Sequence, residues 1–476
     1  MKHIKYIAVL VSGMMLFSCN DDFLNPTPDS VVVVDQFFNN DDDVLAGIIG
    51  IYDAIQGVNE DTETNSSNYN RGVQFEYLLT EMRTDNTRSA TTEGSKADFH
   101  RYLVDANNVE VEDYYASSYE IIFRANTVLN YIEKADAANR ASYTAEAKFL
   151  RAYAYFNLVR LFGDVPLITS VVGPEETDVL FTRVSTSTIY TVIIEDLQEA
   201  ILNLNSTYKS RASTAAAQAL LAKVYLTKQS PDYLGAQQLC ESIIQSMQFS
   251  LMPNFHDVYY SELNDEILFA IGYVAGNTAE SQGFSSEFTT SVGRQDGLNV
   301  INDNLIADFG LYGGDRTAES YITVGSFYEV AKFLPNGFGL ADNYGPNPRQ
   351  AGNDWIVSRY ADVLLMHVEA IMAGGTQTTV QAARDSFNEV RLRANMPTID
   401  APDAITKQDL INERRVELAF ENHRFFDLVR FGIANSVLSA HATEMDYTFN
   451  TRDLLLPIPA REINISNGLL SQNPGY

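Results

Sequence analysis

The chain has 476 residues and carries 62 Asp and Glu against 33 Lys and Arg. The two signs meet most densely in Glu413-Arg414-Arg415-Val416-Glu417-Leu418-Ala419-Phe420-Glu421. Two chemistries fit such a block. Carboxylates gathered in a cleft can act as acid and base, as a glycoside hydrolase pair does. Alternatively, Arg414 with Glu417, Glu421 with Arg424, and Asp427 with Arg430 stand three apart and can pair on helix faces. The apolar residues mixed into the block favour the second reading, a partly buried ion network that locks the last helices. Other catalytic patterns are missing from the sequence. There is no His-Glu-x-x-His, no Gly-x-Ser-x-Gly, no Walker loop, no Gly-x-Gly-x-x-Gly and no Cys/His metal spacing. Asp41-Asp42-Asp43 reads as the charged first turn of a helix rather than as a calcium ligand set. No metal and no cofactor is expected, and the chain reads as a non-enzyme.

The one residue whose context points to a covalent modification is Cys19. It follows Lys2, Lys5 and an apolar run from Ile7 to Phe17, in Leu16-Phe17-Ser18-Cys19. A positive start, a short apolar run and a small residue before the cut site describe a secretory signal peptide. The run is too short to span a bilayer, which takes about 20 apolar residues. Cleavage before Cys19 and acylation on it would make the mature chain a lipid-anchored protein. The alternative is an ordinary secreted chain cut nearby. With Cys19 acylated, Cys240 has no partner. It sits on the apolar side of a helical stretch, 236–244, and reads as a buried small residue. The formal charge is −29, and losing Lys2 and Lys5 takes it to 31 − 62 = −31. That charge repels nucleic acid and anionic head groups. Lipid would be the sole membrane contact.

The elements that must position any site are mostly helical. Apolar residues at three- and four-residue steps predict helices over 41–55, 112–135, 141–162, 187–204, 212–228, 232–247, 356–373, 379–394, 407–421 and 423–440. Several mix Tyr or Phe knobs with Ala, as Ala215, Ala216, Ala219 and Ala222 do beside Leu220, Val224 and Tyr225. Small residues let helix backbones approach, which is the packing of tetratricopeptide-like pairs. Helical period fades over 60–108 and 250–355. These stretches are expected to be loop-rich insertions with short strands and helices, carrying the binding groups on a rigid scaffold. Residues 19–36 read as an extended tether, because Pro26 and Pro28 disfavour helix.

The block at 413–421 continues as Asn422-His423-Arg424-Phe425-Phe426-Asp427-Leu428-Val429-Arg430-Phe431-Gly432. This stretch resembles the C-terminal signature of the SusD/RagB family. Four more stretches agree in the family's order. They are Glu146–Tyr153 with Leu161–Leu167, Arg359–Met366 with Glu369-Ala370, Asn388–Ala394, and Leu456–Pro459 with Gln472–Tyr476. Asn20-Asp21-Asp22 resembles the acidic surface-export signal of lipoproteins in the Bacteroidetes phylum.

The resemblance implies one mostly α domain over 37–476, with about four tetratricopeptide-like helix pairs and loop-rich insertions. It implies a surface-exposed outer-membrane lipoprotein that binds glycans and caps a SusC-like TonB-dependent transporter as its lid. A peptide-binding lid, a surface glycoside hydrolase and a helical-repeat adaptor are the alternatives. The resemblance suggests an open, shallow ligand surface built by both insertions. Its expected contacts are Asp85, Asn86, Arg88, Phe99 and Tyr102 from the first, and Phe284, Phe288, Arg294 and Tyr344 from the second. Trp355, the only Trp, is expected to pack in the scaffold.

Overall fold

The computed structural model describes residues 34–57, 72–91, 94–205, 208–289, 298–334 and 349–476. Ten helices of eleven or more residues organise them. They are α1 (Asp41–Gln56), α2 (Val109–Asn130), α3 (Arg140–Phe162), α4 (Thr186–Asn203) and α5 (Thr214–Thr227). The other five are α6 (Tyr233–Ser246), α7 (Tyr360–Met372), α8 (Gln381–Arg393), α9 (Lys407–Glu417) and α10 (Ala434–Glu444). From α1 to α8 each helix packs on the next, and α7 also meets α9. The result is the stack of tetratricopeptide-like pairs that the Ala-and-aromatic pattern predicts. Ala216, Ala217, Ala219 and Ala222 of α5 are buried, so the backbones of its neighbours can approach closely.

Side-chain caps set the helix starts. Asn40 accepts from the Asp43 amide, Ser185 from Thr188, Ser213 from Ala216 and Asp232 from Gly235. Thr406 and Asp409 form a reciprocal capping box on α9. The Asp41 carboxylate in the first turn of α1 accepts from the Asp136 amide, Asn139 and Tyr143. It thereby ties α1 to the start of α3.

Several boundaries differ from the sequence reading: Val34–Phe37 is a short helix at the end of the stretch expected to be an extended tether, and the helix expected over 112–135 spans Val109–Asn130. Residues 355–359 form a strand, because β-branched Ile356 and Val357 pair across to 267–271 before α7 begins at Tyr360. The helix expected over 407–421 stops at Glu417, since Phe420 and Asn422 adopt left-handed backbone. The one expected over 423–440 is two, Arg424–Arg430 and α10, split at Gly432 with φ +74.

The second insertion is closed at its base. Strand β1 (Ile267–Ile271) pairs antiparallel with the strand Trp355–Arg359, joining the insertion's way in to its way out. The two insertions also meet directly. Thr87 pairs with Ile301 and Arg88 with Val300, and the Gly283 amide donates to Gln74 Oε1. Cys240 is buried on α6, and burial pushes its thiol up.

Beside β1 and α7 lies a buried ion network. Arg359 reaches Glu266 at 2.7 Å, Glu417 at 2.6 Å and Glu421 at 2.7 Å. Arg316 holds Glu413 at 2.6 Å and the other oxygen of Glu417 at 2.7 Å. Arg393 contacts Glu417 and Glu266, and Lys332 holds Glu421 at 2.9 Å. A neighbouring chain of pairs runs Lys223–Asp362–Arg414–Asp427–Arg430–Glu369. Of the three spacing pairs read from sequence, only Asp427 with Arg430 forms. Arg414 turns to Asp362 and Asp427, Glu417 to three arginines, and Arg424 to Asp85.

Candidate functional site

A groove of about 610 Å³ opens on the second-insertion side of the scaffold. Its walls are the turn of helix Asp257–Tyr260 with the loop to Leu263, the end of β1 with Tyr273–Ala275, and Gly352–Asp354. Each wall is tied down from below. The Tyr259 hydroxyl donates to Glu421 at 2.9 Å, so the floor rests on the ion network. The Tyr273 hydroxyl donates to the Gln56 carbonyl at 2.7 Å, which fixes the groove to the end of α1. The Tyr260 hydroxyl donates to the Ala331 carbonyl at 2.5 Å. Its ring lies against His256, with centroids 4.4 Å apart and planes at 23°.

The polar lining is acidic. Asp257, Glu262 and Asp354 contribute carboxylates, and no Lys or Arg lines the groove among the described residues. Burial pushes the Asp354 carboxyl up to about 7, opposed by the Tyr273 N–H that it accepts and assisted by the charge of Glu262. Val274 and Leu263 are exposed beside these groups. A half-buried aromatic ring, apolar rim residues and converging acceptors suit a ligand with apolar faces and many hydroxyls.

The residues expected as contacts from sequence are placed differently. Cys19, Arg294 and Tyr344 lie outside the described residues. Of the other seven, Arg88 alone is not buried. Asp85 is enclosed, accepting from Arg424 at 2.9 and 2.8 Å and meeting Arg415 at 2.9 Å. Burial alone would raise its pKa, but these two guanidiniums hold it well below the usual carboxylate range. Asn86 bridges Arg415 and Glu81. Tyr102 donates to the Arg83 carbonyl and meets Phe449 edge-on. Phe99 is fully buried in the main core. Phe284 packs on Trp355 and Phe333, and Phe288 on Tyr77. The insertions do come together, as expected, but the six buried side chains pack into the core or against the C-terminal helices rather than on an open surface. Trp355 is buried and stacks on Phe333 at 5.1 Å, matching its scaffold assignment.

This burial changes what an Asp85 substitution should do. Asp85→Ala is expected to cost about 3–5 kcal/mol by stranding two buried guanidiniums. A thermal melt coincident with wild type would show that the pairs are solvated instead. The groove residues Tyr260, His256 and Asp354 were missed in sequence. Their one legible signal is His256-Asp257-Val258-Tyr259-Tyr260, a run of rings and a carboxylate inside the aperiodic stretch. Phe284 and Phe288, four apart, carry the commoner mark of a core-facing helix turn.

Two family models match the chain, one described as "SusD family" over residues 316–476 and one as "Starch-binding associating with outer membrane" over 22–226. The chain belongs to the SusD/RagB family. It is 28% identical to "SusD-like protein P2" of Formosa agariphila, over 99% of each chain. To "Starch-binding protein SusD" of Bacteroides thetaiotaomicron it is 34% identical over 126 residues, 25% of this chain and 21% of that one. A solved "Laminarin binding SusD-like protein" superposes with a TM-score of 0.74 at 24% identity, covering 92% of this chain and 100% of that one. The SusD/RagB fold is thereby established across nearly the whole length. No described helix is long and apolar enough to cross a membrane.

Proposed function

We propose that this SusD/RagB chain is a surface-exposed, nutrient-binding lipoprotein that captures glycans and passes them to a SusC-like TonB-dependent transporter, serving as its lid. The observation that carries the reading is the open groove at His256–Leu263 and Gly352–Asp354, in which ring faces and carboxylates converge on a rigid helical scaffold. Glycan-binding names among the relatives support it, as does the outer-membrane association in the description of the family model. The anchor in this reading is Cys19, followed by the acidic Asp21-Asp22, and the protein faces the cell exterior. Arg88, which solvent reaches but which does not line the groove, is kept with Arg294 and Tyr344 as a proposed contact to a part of the ligand that extends beyond the groove.

A ligand that must be handed on suits an open groove better than a closed cavity, since burial of most of its surface would hold it at the lid. Affinity is therefore expected to be modest. The test has two arms. Tagged protein solubilised from the outer membrane should co-purify with a TonB-dependent barrel. The purified protein should be retained in glycan-containing gels without releasing new reducing ends. Peptide retention with no glycan retention would favour the peptide-binding alternative. Product release would turn the reading toward a hydrolase.

A further inference from the structure

The charge pattern of the groove bears on which glycans it can take. Asp257, Glu262 and Asp354 line it, and no lining Lys or Arg among the described residues offsets them. The Lys332 ammonium lies 5.0 Å from the Tyr259 ring centroid, already paired with Glu421, and a second ammonium beside the lining is that of Lys209. It donates to the Leu263 and Asn264 carbonyls and lies 3.6 Å from Asp265, so its charge is already met by acceptors. Among the described residues, His256, beside Asp257 at 3.5 Å, is the sole lining group able to carry positive charge. Arg349, exposed three residues before Gly352, does not line the groove. The whole chain adds a formal charge of −29.

We propose that the groove selects uncharged glycans, stacking a sugar ring on Tyr260 and accepting its hydroxyls on Glu262 and Asp354, and that it rejects uronate-bearing and sulfated glycans. This rests on the glycan-binding reading above and narrows it to one chemical class. Recognition would use what the groove has. Tyr260 is half-buried and backed by His256, so its ring is held in one orientation without ordering on binding. Carboxylate oxygens are acceptors for hydroxyls and find no donor on a carboxylate or sulfate. A polyanion would instead bring like charge into a concave acidic site, where repulsion is screened less than on an open face. The charge of Glu262 already acts on Asp354, so a further anion brought beside the pair meets like charge.

The experiment is affinity electrophoresis in gels cast with laminarin, starch, galactomannan or xylan as uncharged probes, and with alginate or carrageenan as polyanions. Three proteins are compared: wild type, Tyr260→Ala and Glu262→Lys. Wild type is expected to be retarded by at least one uncharged glycan and by neither polyanion. Tyr260→Ala is expected to bind the retarding glycan roughly tenfold more weakly, in the manner of a central Tyr anchor. Glu262 is exposed, so Glu262→Lys should fold normally and gain retardation by alginate that fades as salt is raised. Retardation of wild type by a polyanion, lost in Tyr260→Ala, would overturn the charge selection while leaving the glycan reading intact. Unchanged binding by a folded Tyr260→Ala protein would overturn the groove assignment. A wild-type protein retarded in none of the gels would remove the glycan reading, and this inference with it.

Discussion

Replacing Glu417 by Ala is expected to cost about 3–5 kcal/mol of stability, because removing one partner of a buried charge network leaves the others uncompensated. Glu417 has no solvent exposure and meets Arg316, Arg359 and Arg393 at once. Water cannot reach those guanidiniums to replace it, and their remaining partners Glu413, Glu266 and Glu421 already serve other bonds. Set against a typical total of about 5–15 kcal/mol, such a loss is large. Chemical denaturation should show a lower midpoint with an unchanged slope. Glu133→Ala is the control: it breaks an exposed pair with Arg140, worth less than about 1 kcal/mol. Equal midpoints for the two variants would refute the network's role.

The same network gives an acid limit. Burial would raise the carboxyls of Glu421 and Asp427, but Arg359 and Lys332 around the first, and Arg414 and Arg430 around the second, lower both to about 2. Their folded values lie below their ordinary ones, so the stability they contribute is complete above about pH 4.5. It is lost as pH falls from there toward 2. The loss reaches beyond the core, because Tyr259 on the groove floor donates to Glu421.

An all-or-none effect is expected at the other end of the chain. In the proposed lipoprotein, Cys19→Ala should abolish acylation and release the protein from the membrane. No described helix is long and apolar enough to replace the anchor, and a single acyl chain already binds only marginally, so stable attachment depends on the modified cysteine. Cells fed labelled palmitate should incorporate label into wild type and none into the variant. The variant should then leave the membrane pellet. Label in the Cys19→Ala protein would place the anchor elsewhere.

Helix positions were legible because they depend on local spacing. The runs around Phe149–Phe156 and Ala215–Tyr225 announce α3 and α5, and the structure has them within a few residues. The strand at Trp355–Arg359 was hidden, since Ile356-Val357 continue apolar into α7 and only their partner at 267–271, far off in sequence, decides the matter. The ion pairs failed for the same reason. Spacing of three puts Glu417 beside Arg414, yet helix neighbours lose to Arg359 and Arg316, which arrive from other elements. Site residues were hardest to read. Asp85 and Phe99 look like ligand contacts in an aperiodic stretch, and nothing local shows that α9 and the Arg424 helix close over them. Tyr260 and Asp354 come together only when the base of the second insertion pairs.

That pairing, β1 with Trp355–Arg359, holds the two ends of residues 272–354 side by side, so the stretch leaves and rejoins the scaffold at one place. The closure entropy of a flexible loop grows slowly, by about 0.6 kcal/mol for each doubling of length. Length can therefore vary within the insertion at little cost, provided that Arg316 and Lys332 keep their pairs with Glu413, Glu417 and Glu421. New ligand preferences can be acquired by changes around Tyr273 and Gly352–Asp354, while the part of the insertion that carries those two cations stays fixed.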